Sequence, residues 1–353
     1  MHRSLIKVAV LTLAVILSFA LLVGCTQFSN NSGFNIDQNA NNNSSLSSLT
    51  TKENTQPQNM SNNASSTDYA IGYLGYIEMG YYPQTVADRK AVAQMSKVTD
   101  STGYYYSTYD NEHYEKVSIP NLASLTQNTY EFSTQDKIES NKTYYFKVEK
   151  IRWDVYGRVN VSNAKINLFL VSHVILDSSA YQKSYDLNSN SNTYEIKNSD
   201  GSFTGIAANS WEHSTLREFL NTTFYNKAFS NEEKEIIVAQ DTNTANISDN
   251  VSILSGSDIV QWGNTTAQVS DYARVRNTFM DTNRTYYGNG RYWLKDQIED
   301  INYSYRAMYV GSNNTKANLG ESVGAEYIGI RSTLIISAAT SINILTDSDE
   351  KKS

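Results

Sequence analysis

The sequence predicts an α+β fold, with mixed or antiparallel sheets around a central helical segment. Three observations lead to that class. Aromatic-rich segments with strand alternation occupy the first half of the chain, amphipathic helical stripes with a capping signal occupy the middle, and strands return after Tyr287. Strands and helices that segregate along a chain favour α+β over a repeating βαβ fold.

Tyr69 to Tyr82 alternates, with Ile77, Met79 and Tyr81 on one face and Glu78, Gly80 and Tyr82 on the other. That pattern predicts a strand, closed by Pro83. Ala87 to Val98 reads as a short helix with Ala91, Met95 and Val98 on one side. Thr143 to Tyr156 is a second β region, carried by Tyr145, Val148, Ile151 and Trp153. Ile166 to Leu176 is nearly all apolar, which predicts a strand buried on both faces. Leu187 to Gly205 is polar and reads as a long loop.

Leu216, Phe219, Leu220 and Phe224 recur at helical spacing and form an apolar stripe. Ser230-Asn231-Glu232-Glu233 is a capping box, with Ile236 to Val238 behind it. A short strand follows at Val251 to Leu254, then helices at Asp258 to Trp262 and Val269 to Met280. Asn289-Gly290 is a tight-hairpin signal leading into a strand through Trp293. Arg306 to Val310 and Ala325 to Ile336 are the closing strands, and the polar tail after Thr340 frays.

The N-terminal organisation rests on one residue. Cys25 is the single cysteine, and it follows Leu22-Val23-Gly24 at the end of an apolar run that Arg3 and Lys7 precede. A basic start, an apolar middle and a small residue before the break describe a secretory signal. The L-V-G-C ending resembles a bacterial lipobox. That resemblance implies lipid attachment at Cys25, cleavage after Gly24 and an extracytoplasmic, lipid-anchored protein. The expected organisation is a signal at 1–24, an Asn/Ser-rich disordered tether at 25–67, one α+β domain at 68–340 and a polar tail at 341–353. The tether cannot bury enough surface to offset its ordering entropy, and as a coil it reaches on the order of 35 Å.

Composition excludes several functions. A lipidated Cys25 leaves no thiol for nucleophilic or cysteine–metal chemistry. Losing Arg3 and Lys7 with the signal takes the net charge from −7 to near −9, and no basic stripe is present. Nucleic acid is therefore not an expected partner, and the lipid does the membrane anchoring.

Several segments together resemble a known family. They are Tyr81-Tyr82-Pro83-Gln84-Thr85, Ile151-Arg152-Trp153-Asp154-Val155, Trp211 to Asn221, Phe224 to Phe229, Val251 to Ser255, Tyr292-Trp293-Leu294 and Gly329 to Leu334. In this order they resemble DUF6273, an uncharacterised group of bacterial surface and secreted domains, from about Gly80 to Ile336. The Trp211 to Phe229 block is the specific part. Two positions depart from the family pattern: Lys295-Asp296 stands where the family carries Arg-Ser, and Arg331-Ser332-Thr333-Leu334 where it carries Arg-Pro-Ala-Leu. More distantly, the pattern is similar to C-type-lectin-like and formylglycine-generating-enzyme-like domains. The resemblance implies no agreed activity.

Chemistry-bearing constellations are sparse. His113, His173 and His213 form no H-x-H or H-E-x-x-H spacing, so no metal site is expected; no G-x-S-x-G elbow, phosphate loop or D-x-D-x-D-G calcium loop is present. No cofactor is expected. His213, just before a helix, is a ligand-contact candidate against a capping role, and His173 reads as a satisfied core histidine. The carboxylate clusters Glu232-Glu233-Glu235 and Asp296, Glu299, Asp300 read as solvated faces, with acid–base work on a sugar as the alternative. Trp153, Trp211 and Trp293 fall in apolar patterns and read as core, whereas Trp262 sits in a polar stretch suited to stacking on a sugar. Tyr105 and Tyr109 belong to a second aromatic polar stretch. These features predict a non-catalytic binding module for an envelope glycan or surface protein. A glycan hydrolase using paired carboxylates and a purely structural lipoprotein remain the alternatives.

Overall fold

The structure, a computed structural model, describes residues 68–98, 102–119, 131–160, 165–242, 246–262, 266–313, 316–337 and 344–345. All of them fall in the unit Asn63–Ser353. Cys25, the signal and the tether lie outside the described residues. No helix among the described residues is long and apolar enough to cross a membrane.

Sheet dominates: 44% of the described residues are strand and 17% helix, in antiparallel and mixed sheets. The largest sheet has eight strands. Its spine is β5 (Thr143–Asn160), paired along one edge with β1 (Asp68–Val86). On its other edge β4 (Glu112–Ser118) pairs with the first residues of β5 and β6 (Lys165–Ser172) with the last. From β4 the sheet continues to β3 (Tyr105–Ser107) and β2 (Met95–Lys97); from β6 it continues to β18 (Ser332–Ser337) and β13 (Ser252–Ile253). Leu168 to Ser172 are all buried, as expected for a strand covered on both faces.

A second, five-stranded sheet runs β16 (Lys316–Ser322), β15 (Arg306–Val310), β14 (Tyr292–Gln297), β17 (Gly329–Ile330) and β7 (Asp177–Ser178), with β14 and β17 parallel. Its core tryptophan, Trp293, and Trp153 of the first sheet are both 0% exposed, and Trp211 joins the same apolar cluster. Burial of each such side chain contributes about 4 to 6 kcal/mol before the entropy of ordering is subtracted.

Several expectations are corrected. Pro83 does not end β1: the strand runs on to Val86, because β1 pairs with β5 along one edge and an edge strand tolerates proline. The expected face also switches, with Tyr81 47% exposed and Tyr82 3% exposed. A register shift between Glu78 and Tyr81, with Gly80 at φ +72°, inserts a bulge and turns every later side chain over. The helix expected over 87–98 stops early. Asp88 caps α1 (Arg89–Ala93), and Met95–Lys97 then extend as β2, because β3 offers them a hydrogen-bonding partner.

The polar stretch 187–205 is no loop. It is most of a three-stranded sheet, β8 (Tyr185–Asn188), β9 (Thr193–Lys197) and β10 (Phe203–Ala207). Its polarity hid it: buried Glu195 accepts from Ser191, Asn188 and Gly205, so polar groups satisfy one another where apolar alternation was sought.

The apolar stripe at Leu216 forms one helical run: α2 (Thr215–Phe219), a π segment (Leu220–Phe224) and α3 (Tyr225–Ala228). Leu216, Leu220 and Phe224 are buried. The capping box opens α4 (Asn231–Ile236) with both reciprocal bonds present. Glu233 also accepts the Gly80 N–H, so this acid ties the helix start to the β1 bulge and is not a solvated carboxylate. β11 (Gln240–Asp241) and β12 (Ser248–Asp249) pair as a small ribbon before α5 (Gly256–Trp262).

Only Asp271–Val275 (α6) of the expected helix 269–280 is helical, since Asn277 at φ +81° ends it. Asn289-Gly290 makes no tight hairpin. Gly288, at φ +84°, takes the left-handed position, and Gly290 pairs with Met280. The closing strand over 325–336 is two strands, β17 and β18, separated by Arg331. The tail is also corrected at its described residues: Leu345 exchanges backbone hydrogen bonds of 2.8 and 2.9 Å with Tyr76, and Ile344 packs on the core.

Candidate functional site

The residues of the Trp211 block build one wall of a cleft. Ser214 caps α2, accepting from Arg217 N–H at 3.1 Å, and Leu216 buries beneath it. That cap sets Trp211 and Arg217 side by side. Trp211 Nε1 donates to Asp249 Oδ2 at 2.8 Å, and Arg217 Nε donates to Asp249 Oδ1. Arg217 also donates to the Ser248 carbonyl at 2.7 Å. In the π segment, Asn221 donates to the Val251 carbonyl and accepts from Asn250 and Val251 N–H. A π turn places an extra residue where a side chain can reach out. The block is therefore a clamp: it fastens the 248–251 segment to the helical run.

The clamp leaves a cavity of about 790 Å³, within the range of small-molecule sites. Trp211, Glu212 and Asp249 form one side; Gln240, Asp241 and Thr242 of the ribbon form the next. Ser255, Ser257, Asp258 and Gln261 come from the start and face of α5. Lys295, Asp296, Gln297 and Glu299 come from the end of β14 and the turn after it. Six carboxylates meet one ammonium, and no aliphatic side chain lines the cleft among the described residues.

Three of those carboxylates hold the cleft together. Asp249 is bound as above. Asp258 accepts from Ser255 N–H at 2.8 Å and from its hydroxyl at 2.7 Å, and Asp296 accepts from Gly256 N–H. The carboxylates of Asp241 and Glu299, both exposed residues, make no hydrogen bond or ion pair among the described residues, and that of Glu212 has only a 3.4 Å contact from Ser210. Behind Trp211, outside the lining, lies Tyr181, 0% exposed and with its hydroxyl unpartnered. Its ring packs 6.1 Å from Trp211 and 5.6 Å from Trp293. Burial raises its pKa well above 10, reinforced by Glu212, Asp296 and Asp249, all cleft residues. Gln240 Nε2 is likewise buried without a partner.

The sequence candidates scatter around this site. His213 is exposed next to Glu212; its Nδ1 lies 3.1 Å from Ser210 Oγ and its carbonyl accepts from Gln182. Trp262 ends α5, directly after Gln261, and its side chain lies outside the described residues. Tyr105 packs edge-on against Tyr145 on β3, and Tyr109, 44% exposed, lies under Lys90. Neither tyrosine lines the cleft. His173 is no core histidine. It follows the last residue of β6, its side chain is 48% exposed, and Nδ1 sits 3.0 Å from Asp154. Of the second acidic cluster, Asp296 and Glu299 enter the cleft, while Asp300 caps the turn at Ile301–Tyr303. Gln240, Asp241 and Asp249 carry no local signal, because separate segments supply them. Ser255-x-x-Asp258, a capping pattern, was the one local signal.

Comparison with known families agrees with the block that builds the clamp. Residues 167–338 match the DUF6273 model, a domain of unknown function. Over this stretch the chain is similar to DUF6273. The match is narrower than the resemblance from Gly80, since Tyr81–Thr85 and Ile151–Val155 precede it. No curated protein and no solved structure matches the chain. The DUF6273 stretch contains every residue of the cleft, and Lys295-Asp296, where the family pattern differs, lies in it. Arg331, the arginine of the other variant segment, donates to the Ser172 carbonyl at 3.0 Å and is buried between β17 and β18.

Proposed function

We propose that this protein is a lipid-anchored extracytoplasmic binding module, held through Cys25 and a polar tether, whose DUF6273 domain takes a polar envelope ligand in the acidic cleft. The cleft carries the reading: it is roomy, lined by Trp211 and polar side chains, and rich in acceptors. Half of its carboxylates serve as structural acceptors, which favours binding over a hydrolase that needs an acid and a base free on opposite faces. We read the fold as C-type-lectin-like in the same sense, on the strength of mixed sheets and short helices carrying an irregular binding face.

Sedimentation of the full-length protein with isolated envelope glycan tests the function. Co-sedimentation that the double variant Asp241→Asn/Glu299→Gln loses is the expected result. A folded protein that binds no envelope fraction refutes it. The anchor is tested separately by the mass of the mature N-terminus, which should carry lipid on Cys25.

A further inference from the structure

A second cavity, of about 430 Å³, shares no residue with the acidic cleft. Arg291, the residue before β14, lies in its lining. The backbone there is fixed, because the Arg291 carbonyl accepts from Gly329 N–H at 2.8 Å. The side chain is fixed by rings: the guanidinium sits 4.0 Å from the centre of the Phe279 ring and 5.7 Å from that of Tyr309, both also in the lining. Stacking of this kind holds the guanidinium plane and leaves its edge of N–H donors free. That edge finds no acceptor among the described residues, although Arg291 is half-buried.

An internal partner is at hand and is not used. Asp281 lines the same cavity, but its Oδ2 accepts from the Ser312 hydroxyl at 2.6 Å and its Oδ1 from Asn283 N–H at 2.8 Å. Those bonds do a different job. With Asn289, whose amide donates to the Ser312 carbonyl at 3.2 Å, they fasten the loop at 281–289 to the turn after β15. The loop is closed on itself by Asp281 N–H to the Asn289 carbonyl at 2.8 Å and Gly288 N–H to the Asp281 carbonyl at 3.0 Å. The walls are thus set before any ligand arrives, which spares the ordering cost of binding.

We propose that this cavity is a second ligand site, and that it takes the carboxylate of a small molecule on the edge of Arg291. A stacked guanidinium presents two parallel donors, and a planar carboxylate accepts both. One guanidinium beside the Asp281 carboxylate favours a single negative charge, since a phosphate dianion meets twice the repulsion. The Tyr286 and Tyr309 side chains line the space next to it and would meet the remainder of the ligand. The inference stands apart from the acidic cleft and does not depend on it.

Calorimetric titration of the full-length protein in detergent tests it with two matched pairs, 4-hydroxybenzoate against 4-hydroxybenzamide and glucuronate against glucose, and with inorganic phosphate. At least one carboxylate should bind with Kd of about 1 mM or tighter, about tenfold tighter than its neutral partner and than phosphate, and more weakly as salt rises. Arg291→Gln should weaken it about tenfold or more. Arg291→Lys, which keeps the charge and loses the fork, should weaken it about threefold or more. Asp241→Asn/Glu299→Gln, in the other cleft, should leave it unchanged. Equal binding of the neutral partners, tighter binding of phosphate, or no binding by any probe overturns the proposal in the wild-type protein, without recourse to a variant. Carboxylate binding that survives both Arg291 variants, or that the cleft double variant abolishes, overturns the location.

Discussion

Replacing Tyr181 by phenylalanine removes one oxygen and leaves the ring against Trp211 and Trp293. The hydroxyl is fully buried and has no hydrogen-bond partner. Such a group costs about 1 to 3 kcal/mol relative to one that is satisfied. Against that, the variant forfeits a few dispersion contacts of about 0.1 to 0.2 kcal/mol each. The balance is a gain of about 1 kcal/mol, which for a domain of this size raises Tm by about 2 °C. Calorimetry of the wild type and the Tyr181→Phe variant, without ligand, reads the shift directly. A rise in Tm of that size is the expected result. A fall of 2 °C or more refutes the reasoning, since it means that the hydroxyl already has a partner that the fold needs.

Three other outcomes follow from the same geometry. Asp249→Ala strips the partner from Arg217 and Trp211 at a carboxylate only 4% exposed, and should cost about 3 to 5 kcal/mol by urea denaturation. Gly80→Ala places a Cβ 2.7 Å from the Phe229 ring at φ +72°, and should cost about 2 to 4 kcal/mol in the same assay. Burial holds the Tyr82, Tyr156, Tyr181 and Tyr272 pKa values above 10 in the fold, with Asp177 adding to the rise at Tyr82 and Tyr272. A raised folded pKa contributes stability in full below the unfolded value of about 10 and loses it as pH climbs through the folded values. Tm should therefore be level below about pH 9 and fall above about pH 10, with phenolate absorbance from these tyrosines appearing only as the protein unfolds.

Much of the fold was legible in local patterns. β5 and β6 announced themselves through Trp153, Val155 and the unbroken run at Leu168, and the Ser230 capping box formed as written. What failed to show did so for identifiable reasons. The β8–β10 sheet buries Thr193 and Glu195 instead of aliphatic residues, so it carries no apolar alternation. The flip between Tyr81 and Tyr82 depends on a bulge that only the pairing with β5 reveals. The cleft was largely illegible. Glu212, Asp241, Asp258 and Glu299 are separated by tens of residues and meet only because Asp249 clamps the ribbon to the Trp211 block. The motif residues that stood out in the sequence, Trp211 and Arg217, build that site, and the less conspicuous acids beside them face it.

Hydrogen–deuterium exchange of the full-length protein, with and without envelope glycan fragments, tests the location of the binding site most directly. Protection should rise in peptides covering Trp211–Glu212, Gln240–Thr242, Ser255–Gln261 and Lys295–Glu299. Protection confined to the Tyr105–Tyr109 segment, with those four unchanged, would place the ligand elsewhere and contradict the account.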